Sequence, residues 1–319
     1  MLKAARRRRL LQRMAIACAI LVLAITSLSA YIRLGNAGLG CVDWPQCYGG
    51  KLRQAQQGID TRSAESGAAV AARLVHRIVA VAALLLIIVM ALACFTVRPI
   101  LWREGGVALT LLALAVFLAV LGRWSGGARV PAVNIGNLLG GFAMLALCWQ
   151  LRWRLGQRAG DPPPRQGSFR LRLGAWLAVA VLFGQIALGG LVSAGFAGLS
   201  CTGMLDCGAN APIAMTPDAF DPLREPVFAT TPIPPANAAG AAAHMAHRYG
   251  AVVALLATAL LAWSAIRFGR GRAGWTLLTL LGVEMVLGVL LVALSLPLGV
   301  ALAHNLVAAV LLAAAFTLA

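Results

Sequence analysis

Three of the four histidines in this chain, His76, His247 and His304, lie inside long apolar stretches. Two of them begin similar segments: HRIVAVAALLL starts at His76, and HRYGAVVALLA starts at His247. Ionisable groups are energetically unfavourable within a bilayer, so an intramembrane histidine marks a site more often than one in a soluble core. Two imidazoles on facing helices in an apolar surround are typical axial ligands of haem iron. The pattern therefore favours metal ligation over structural hydrogen bonding.

Long apolar segments must position these histidines. Hydrophobic residues make up 61% of the 319 residues, and the mean hydropathy is +0.84, which is too apolar for an ordinary soluble protein. Stretches of about 20 apolar residues cross a ~30 Å hydrocarbon layer as complete helices, because lipid cannot satisfy free backbone groups. We therefore predict an all-α polytopic membrane protein whose first span is retained rather than cleaved as a signal peptide. The eight predicted spans are 14–32, 70–96, 105–123, 131–151, 173–194, 240–266, 273–293 and 297–318.

The net charge of +17 is distributed as a topology signal. The positive-inside rule assigns basic connections to the cytoplasm, which predicts a bacterial inner-membrane protein with both termini cytoplasmic. Most acidic residues fall in the opposite, outer segments, 33–69 and 195–238. The charge distribution therefore predicts a lipid bilayer as partner and does not indicate a nucleic acid. The basic residues lie in alternate connections, at 3–13, 98–103, 152–172 and 267–272.

The chain contains an internal repeat. YIRLGNAGLGCVDWPQC (31–47) aligns with LVSAGFAGLSCTGMLDC (191–207), the two His-Arg helices follow, and a closing span places Asn137 in register with His304. Four spans in each half give both halves the same orientation, as in a parallel repeat. We therefore predict two tandem four-helix bundles. The predicted division is an N-terminal half at 1–153, a Pro-rich cytoplasmic linker at 154–172 and a C-terminal half at 173–319.

Four of the seven cysteines lie in the outer segments, as Cys41/Cys47 and Cys201/Cys207. A spacing of six residues across a loop can bring two cysteines within bridging range, and the outer side is oxidising. We predict a disulfide in each loop, with a redox role left open for the first. A metal site would need more ligands than either loop clearly offers. The cysteines inside spans, interpreted as small apolar packing residues, are Cys18, Cys94 and Cys148.

The two halves differ in the ligands they offer. The C-terminal half supplies a full axial pair, His247 and His304, whereas His76 in the N-terminal half has Asn137 as its counterpart, and an amide is a poor iron ligand. A zinc or copper centre is the alternative, but it would need a third or fourth polar ligand. Glu284 is the only acidic residue inside a predicted span. The donor set therefore favours haem.

Arginines and one further histidine adjoin these positions. Arg77 and Arg248 directly follow His76 and His247, where each guanidinium could pair with a haem propionate or simply snorkel to the interface. His244 lies one turn before His247 and could either hydrogen-bond within the site or face a loop.

Taken together, these motifs resemble those of the haem A synthase family. The most specific of them is RLGNAGLGCVDWPQC at 33–47, in the outer loop. The resemblance covers nearly the whole chain, including the eight spans and the tandem halves. The other matching motifs are the His-Arg pair at 76–77, LGRWS at 121–125, NLLGG at 137–141, HMAHR at 244–248 and His304.

The resemblance implies an oxidoreductase that converts the C8 methyl of haem O to the formyl of haem A for cytochrome oxidase. It implies haem b between His247 and His304, with haem O as substrate in the half that carries His76 and Asn137. Cys41 and Cys47 would match the outer cysteine pair of the family. Expected partners are a haem O synthase and oxidase assembly factors, and a homo-oligomer is possible.

Two departures from the family pattern keep an alternative open. Asn137 stands where the family usually has histidine, and Arg73 stands where it has a glutamate thought to serve the chemistry. Arginine cannot act as a base, and Glu65 could substitute only if its loop folded inward. The alternative is a non-catalytic haem-b-binding membrane protein, either an electron carrier or a haem chaperone. A transporter is suggested only by the tandem repeats.

Overall fold

A computed structural model describes residues 2–58, 67–125, 130–156, 169–201, 203–204, 207, 217–226 and 240–319. Every regular element within those residues is helical, and eight of the helices are long and apolar enough to span a membrane. The prediction of an all-α polytopic membrane protein is confirmed. The helices are α1 (Leu2–Ala37), α2 (Gly50–Gln56), α3 (Gly67–Phe95), α4 (Trp102–Ser125), α5 (Pro131–Gly156), α6 (Phe169–Ala194), α7 (Gly240–Arg267), α8 (Gly271–Ala293) and α9 (Leu298–Phe316).

Large apolar side chains on the outside of the helices are consistent with lipid as the surrounding solvent. One side of α3 exposes Leu74, Ile78, Val81 and Leu85, each by more than half of its surface. Residues three and four apart share one face of a helix, so these side chains form a continuous stripe. In water such a stripe would be an aggregation liability, whereas hydrocarbon solvates it.

The spanning helices form two bundles with the same internal order. In bundle one α3 packs on α1, α4 on α3 and α5 on α4, and α1 closes the ring against α5. In bundle two α6, α7, α8 and α9 repeat this arrangement. The second and fourth helices of each bundle are therefore diagonal, facing one another across the interior. This is the tandem arrangement expected from the repeat.

The bundles share one apolar core. Helix α5 packs against both α6 and α9, and α1 also contacts α9. A single cluster of buried side chains runs through both bundles, including Ile87 and Leu145 from bundle one and Leu182, Leu277 and Leu312 from bundle two. The first and fourth helices of each half therefore form the seam between them.

Arginines of α1 fasten the end of the molecule that carries most of the basic residues, here called the basic face. Arg7 donates hydrogen bonds to the carbonyls of Val97 and Pro99, between α3 and α4. Arg8 donates to the carbonyl of Arg154 at 2.9 Å and pairs with Glu104, also at 2.9 Å. The contact between Arg8 and the Arg154 carbonyl places a cation at the C-terminal end of α5, where the helix dipole favours it.

The structure extends some sequence-based boundaries. Helix α1 begins at Leu2, well before the predicted start of its span. Its basic first turns are stabilised by contacts such as that of Arg7 with the carbonyl of Pro99. A short helix, α2, and a 3₁₀ turn at Pro217–Phe220 lie in the two long connections. Residues 157–168 of the predicted linker, as well as Asp60, Glu65 and Asp206, lie outside the described residues.

Two glycines of α8 offer a matched test of this packing. A Cβ on Gly274 would lie 2.6 Å from the backbone oxygen of Ala262 on α7, whereas a Cβ on Gly282 would meet nothing within 4 Å. Backbone cannot yield as a flexible side chain can, so Gly274→Ala should destabilise by about 1–3 kcal/mol through overpacking. Gly282→Ala should be neutral or slightly stabilising, because alanine favours the helix. Thermal unfolding in detergent checks this, and equal midpoints for the two variants would contradict the α7–α8 contact.

Candidate haem-binding site

The two histidines predicted as an axial pair occupy the diagonal helices of bundle two. His247 lies on α7 and His304 on α9, and neither is exposed. Their imidazoles are near enough to interact electrostatically. The fold therefore brings the predicted pair to one region of the bundle interior.

Helix α6 holds the ring of His247. The side-chain Nε2 of Gln185 lies 3.0 Å from Nδ1 of His247 and donates to its backbone carbonyl at 2.8 Å. One turn further along α6, a Cβ on Gly189 would lie only 2.8 Å from Cε1 of the ring. Gln185 contacts the Nδ1 edge of the imidazole. Because Gly189 has no side chain, the Cε1 side of the ring can lie against α6.

Helix α8 holds the ring of His304 in the same manner. Oε1 of Glu284 lies 3.1 Å from Nδ1 of His304, and the two side chains are only 14% and 23% exposed. A Cβ on Gly288, one turn further along, would lie 3.6 Å from Cε1. The distance suits a hydrogen bond but the angles do not, and Oε2 of Glu284 has no hydrogen-bond partner among the described residues. The contact is therefore a close approach of two polar side chains within the membrane, short of a regular hydrogen bond.

Sequence reasoning did not predict either of these partners, although a signal for them exists. QIALG at 185–189 and EMVLG at 284–288 share a polar residue, a leucine and a glycine at the same spacing. Each precedes its histidine on the next helix. The i, i+4 spacing places the polar residue and the glycine on one helix face.

Bundle one carries an apolar counterpart of the EMVLG segment. Helix α4 contains LAVLG at 118–122, so that Leu118 corresponds to Glu284. A Cβ on Gly140 of α5 would lie 2.5 Å from Cδ2 of Leu118, and Gly140 is one turn beyond Asn137. The half that has asparagine in place of the second histidine thus also has leucine in place of its carboxylate partner.

The remaining predicted residues of bundle one lie on its second and fourth helices. His76 is partly buried on α3, Arg73 is partly buried one turn before it, and Arg77 is exposed. Asn137 is partly buried on α5. Their roles stay predictions, and Glu65 lies outside the described residues.

Both predicted disulfide pairs have their sulfur atoms in contact. The Cα atoms of Cys41 and Cys47 are 6.7 Å apart, and those of Cys201 and Cys207 are 4.0 Å apart. Both pairs lie at the same end of the molecule, here called the cysteine face. The structure therefore supports a disulfide in each loop.

An arginine braces the carbonyls of each cysteine loop. In the first loop, Arg53 of α2 donates to the carbonyls of Gln46, at 3.0 Å, and Tyr48, at 3.4 Å. In the second, Arg248 of α7 donates to three carbonyls, those of Cys201 at 2.9 Å, Met204 at 3.2 Å and Gly203. The guanidinium of Arg248 thus fastens a loop next to His247, and its predicted contact with a propionate stays a prediction.

The first cysteine loop packs on the opposite bundle. The buried phenol of Tyr48 accepts a hydrogen bond from the backbone N–H of Gly198 at 3.3 Å, and its ring meets Phe196 edge to face at 5.8 Å. Burial raises the pKa of Tyr48 to about 12, so the phenol stays neutral. A Cβ on Gly40 would contact Leu298, the first residue of α9, at 3.4 Å. Loop one therefore covers the end of the helix that carries His304.

A second contact joins bundle one to this region. Arg33 of α1 donates to Oδ1 of Asn305 at 3.2 Å, and Asn305 donates to the carbonyl of Ala301 at 3.0 Å. Asn305 directly follows His304. Helix α1 thus reaches the site of bundle two from across the seam.

His244 is buried on α7, and its ring lies near the backbone of Ala197, which leads into the second cysteine loop. Both roles considered for this residue stay predictions. An open depression at the same end, between Pro131, Leu191 and the 217–226 segment, contains none of the predicted iron ligands.

Comparison with known proteins identifies the family. Residues 12–316 match the family described as cytochrome oxidase assembly protein (COX15-CtaA). The chain is 32% identical over 310 residues to haem A synthase of Shewanella oneidensis, covering 92% of this chain and 91% of that protein. The match therefore runs through both bundles and both cysteine loops, and the chain belongs to the COX15-CtaA family of cytochrome oxidase assembly proteins.

Proposed function

We propose that this protein is a haem A synthase, a membrane oxidoreductase that converts the C8 methyl of haem O to the formyl of haem A. The observation that carries the proposal is the histidine pair held across bundle two, in a chain that matches a haem A synthase along nearly its whole length. The reaction supplies the haem A that cytochrome oxidase requires.

Bundle two has a donor set that fits haem b. His247 and His304, on facing helices, would hold the haem iron through their imidazoles. Both rings are anchored from the side, by Gln185 and Glu284, which is the support that metal-binding histidines usually have. Bound there, haem supplies one-electron redox chemistry. Arg248 lies beside His247, where it would pair with a propionate.

Bundle one would hold haem O as substrate. His76 would bind the iron and orient the macrocycle, with Asn137 in the place of a second ligand and Arg77 near the propionates. Because Arg73 cannot accept a proton, proton removal in this bundle would fall to another group. Asn137 and Arg73 are the two departures from the family pattern in this bundle.

The same differences support a second candidate function, a non-catalytic haem-b-binding protein that carries electrons or delivers haem during oxidase assembly. Its specific support is that Asn137 and Arg73 stand where the family pattern has histidine and glutamate, and that Leu118 stands where bundle two has Glu284. Bundle two would keep its haem in either case. The two functions therefore differ only in what bundle one does.

Location and partners follow from the charge distribution and the proposed reaction. The basic face would lie in the cytoplasm with both termini, and the cysteine face outside, in a bacterial inner membrane. A haem O synthase would supply the substrate, and oxidase assembly factors would take the product. A homo-oligomer would be compatible with this arrangement.

Production of haem A tests the catalytic proposal. Expression with a haem O synthase, in a host that makes no haem A, should yield haem A and its hydroxylated intermediate on chromatography of extracted haems. The His76→Ala variant should abolish both products, and cells with the haem O synthase alone provide the baseline. Folded, haem-containing protein that yields neither product would exclude the synthase function and favour the second candidate.

Loss of one axial ligand tests the haem b site. His247→Ala or His304→Ala should each remove the low-spin haem b spectrum of the purified protein, because a single histidine cannot complete the pair. His76→Ala serves as the control and should retain that spectrum. If either bundle-two variant kept it, the ligand assignment would be wrong.

A further inference from the structure

We propose that Glu284 is a positioning residue that sets the reduction potential of the haem in bundle two through His304. The carboxylate would hold the Nδ1 edge of His304, turn Nε2 towards the iron and place a negative charge next to that ligand. The inference rests on the proposed haem site. It adds an electrostatic asymmetry between the two axial histidines.

The position of Glu284 calls for a partner. A carboxylate inside a membrane helix is unfavourable unless it pairs with another polar group or faces an interior site. Its Oε1 lies 3.1 Å from Nδ1 of His304, and its side chain is only 14% exposed. Among the described residues, His304 is the one histidine or basic side chain within 4 Å of this carboxyl group, which therefore faces the candidate ligand.

The proximity of the carboxylate would also favour one ring nitrogen for binding iron. A neutral imidazole carries its proton on one ring nitrogen, and the hydrogen-bond partner of the other nitrogen decides which one is free for a metal. A carboxylate at Nδ1 favours the proton there, leaving the Nε2 lone pair for iron. Gly288, on the same face of α8, lies next to the ring, where an added Cβ would be 3.6 Å from Cε1.

The partners of the two histidines then differ in charge. Gln185, which corresponds to Glu284 in the other element, offers His247 a neutral amide. A carboxylate at Nδ1 makes the imidazole a stronger donor and stabilises ferric iron, which carries one more positive charge than ferrous iron. This electrostatic effect acts at 3.1 Å even where the angles are not those of a regular hydrogen bond.

The internal repeat provides an independent comparison. In bundle one Leu118 occupies the place of Glu284, and Asn137 occupies the place of His304. The carboxylate is thus present in the half that retains the second histidine and is absent from the half that has lost it. A purely structural role for Glu284 in helix packing would not require this correspondence.

Potentiometric titration of the purified holoprotein tests the proposal. Glu284→Gln keeps the size of the side chain and removes its charge, so the low-spin haem should remain while its midpoint potential becomes more positive. Glu284→Leu, which installs the bundle-one residue, should also reduce the haem content. Glu104→Gln removes a carboxylate that pairs with Arg8 at the basic face and should leave the potential unchanged.

A spectroscopic measurement on the unmodified protein gives a second test if the variants do not fold. The EPR spectrum of the ferric haem should show one axial imidazole with partial imidazolate character, and Glu284→Asp should weaken that character. An unchanged potential in Glu284→Gln, or two equivalent neutral imidazoles in the unmodified protein, would overturn the proposal.

The failure of the underlying site would look different. If the unmodified protein held no low-spin haem, or if His304→Ala retained it, the haem assignment itself would be wrong. If His304→Ala lost the low-spin spectrum but Glu284→Gln kept the original potential, only the role of Glu284 would be refuted.

Discussion

An imidazole inside a lipid bilayer needs a polar partner, and bundle two is arranged around that requirement. In each case a neighbouring helix supplies the partner: α6 places Gln185 beside His247, and α8 places Glu284 beside His304. Each partner is followed one turn later by a glycine next to the ring, and at Gly189 a side chain would collide with it. Removing the partner would leave a buried polar group unsatisfied, so the histidines and their supporting helices form one unit.

Much of this fold could be predicted from sequence, because a membrane protein's main constraint is local. Backbone polar groups must be satisfied within each segment, so every apolar stretch of sufficient length specifies a helix. The repeat then specifies two bundles and the diagonal relation between His247 and His304. The partners Gln185 and Glu284 were harder to predict. A single polar residue in an apolar helix shows that it needs a partner but does not identify which helix provides one.

Contacts across the seam were beyond sequence reasoning for a different reason. The repeat suggests two similar and separate halves, yet Tyr48 hydrogen-bonds Gly198 and Arg33 hydrogen-bonds Asn305. Both contacts join positions more than 100 residues apart, and no periodicity reveals such pairings. They also break the symmetry, because both bring bundle one to the end of bundle two that carries His304. The first cysteine loop therefore differs from the second in position as well as in sequence.

This asymmetry connects the two halves of the proposed reaction. Oxidation of a methyl group in bundle one would require electrons to leave or reach that bundle, and a low-spin haem in bundle two is a suitable one-electron centre. The seam brings α1 and the first cysteine loop against α9, the helix that carries His304. A carboxylate at that ligand would adjust the potential of the centre. The two bundles thus differ: one holds two histidines anchored by neighbouring helices, and the other has a single histidine, His76, in the half proposed to bind the substrate.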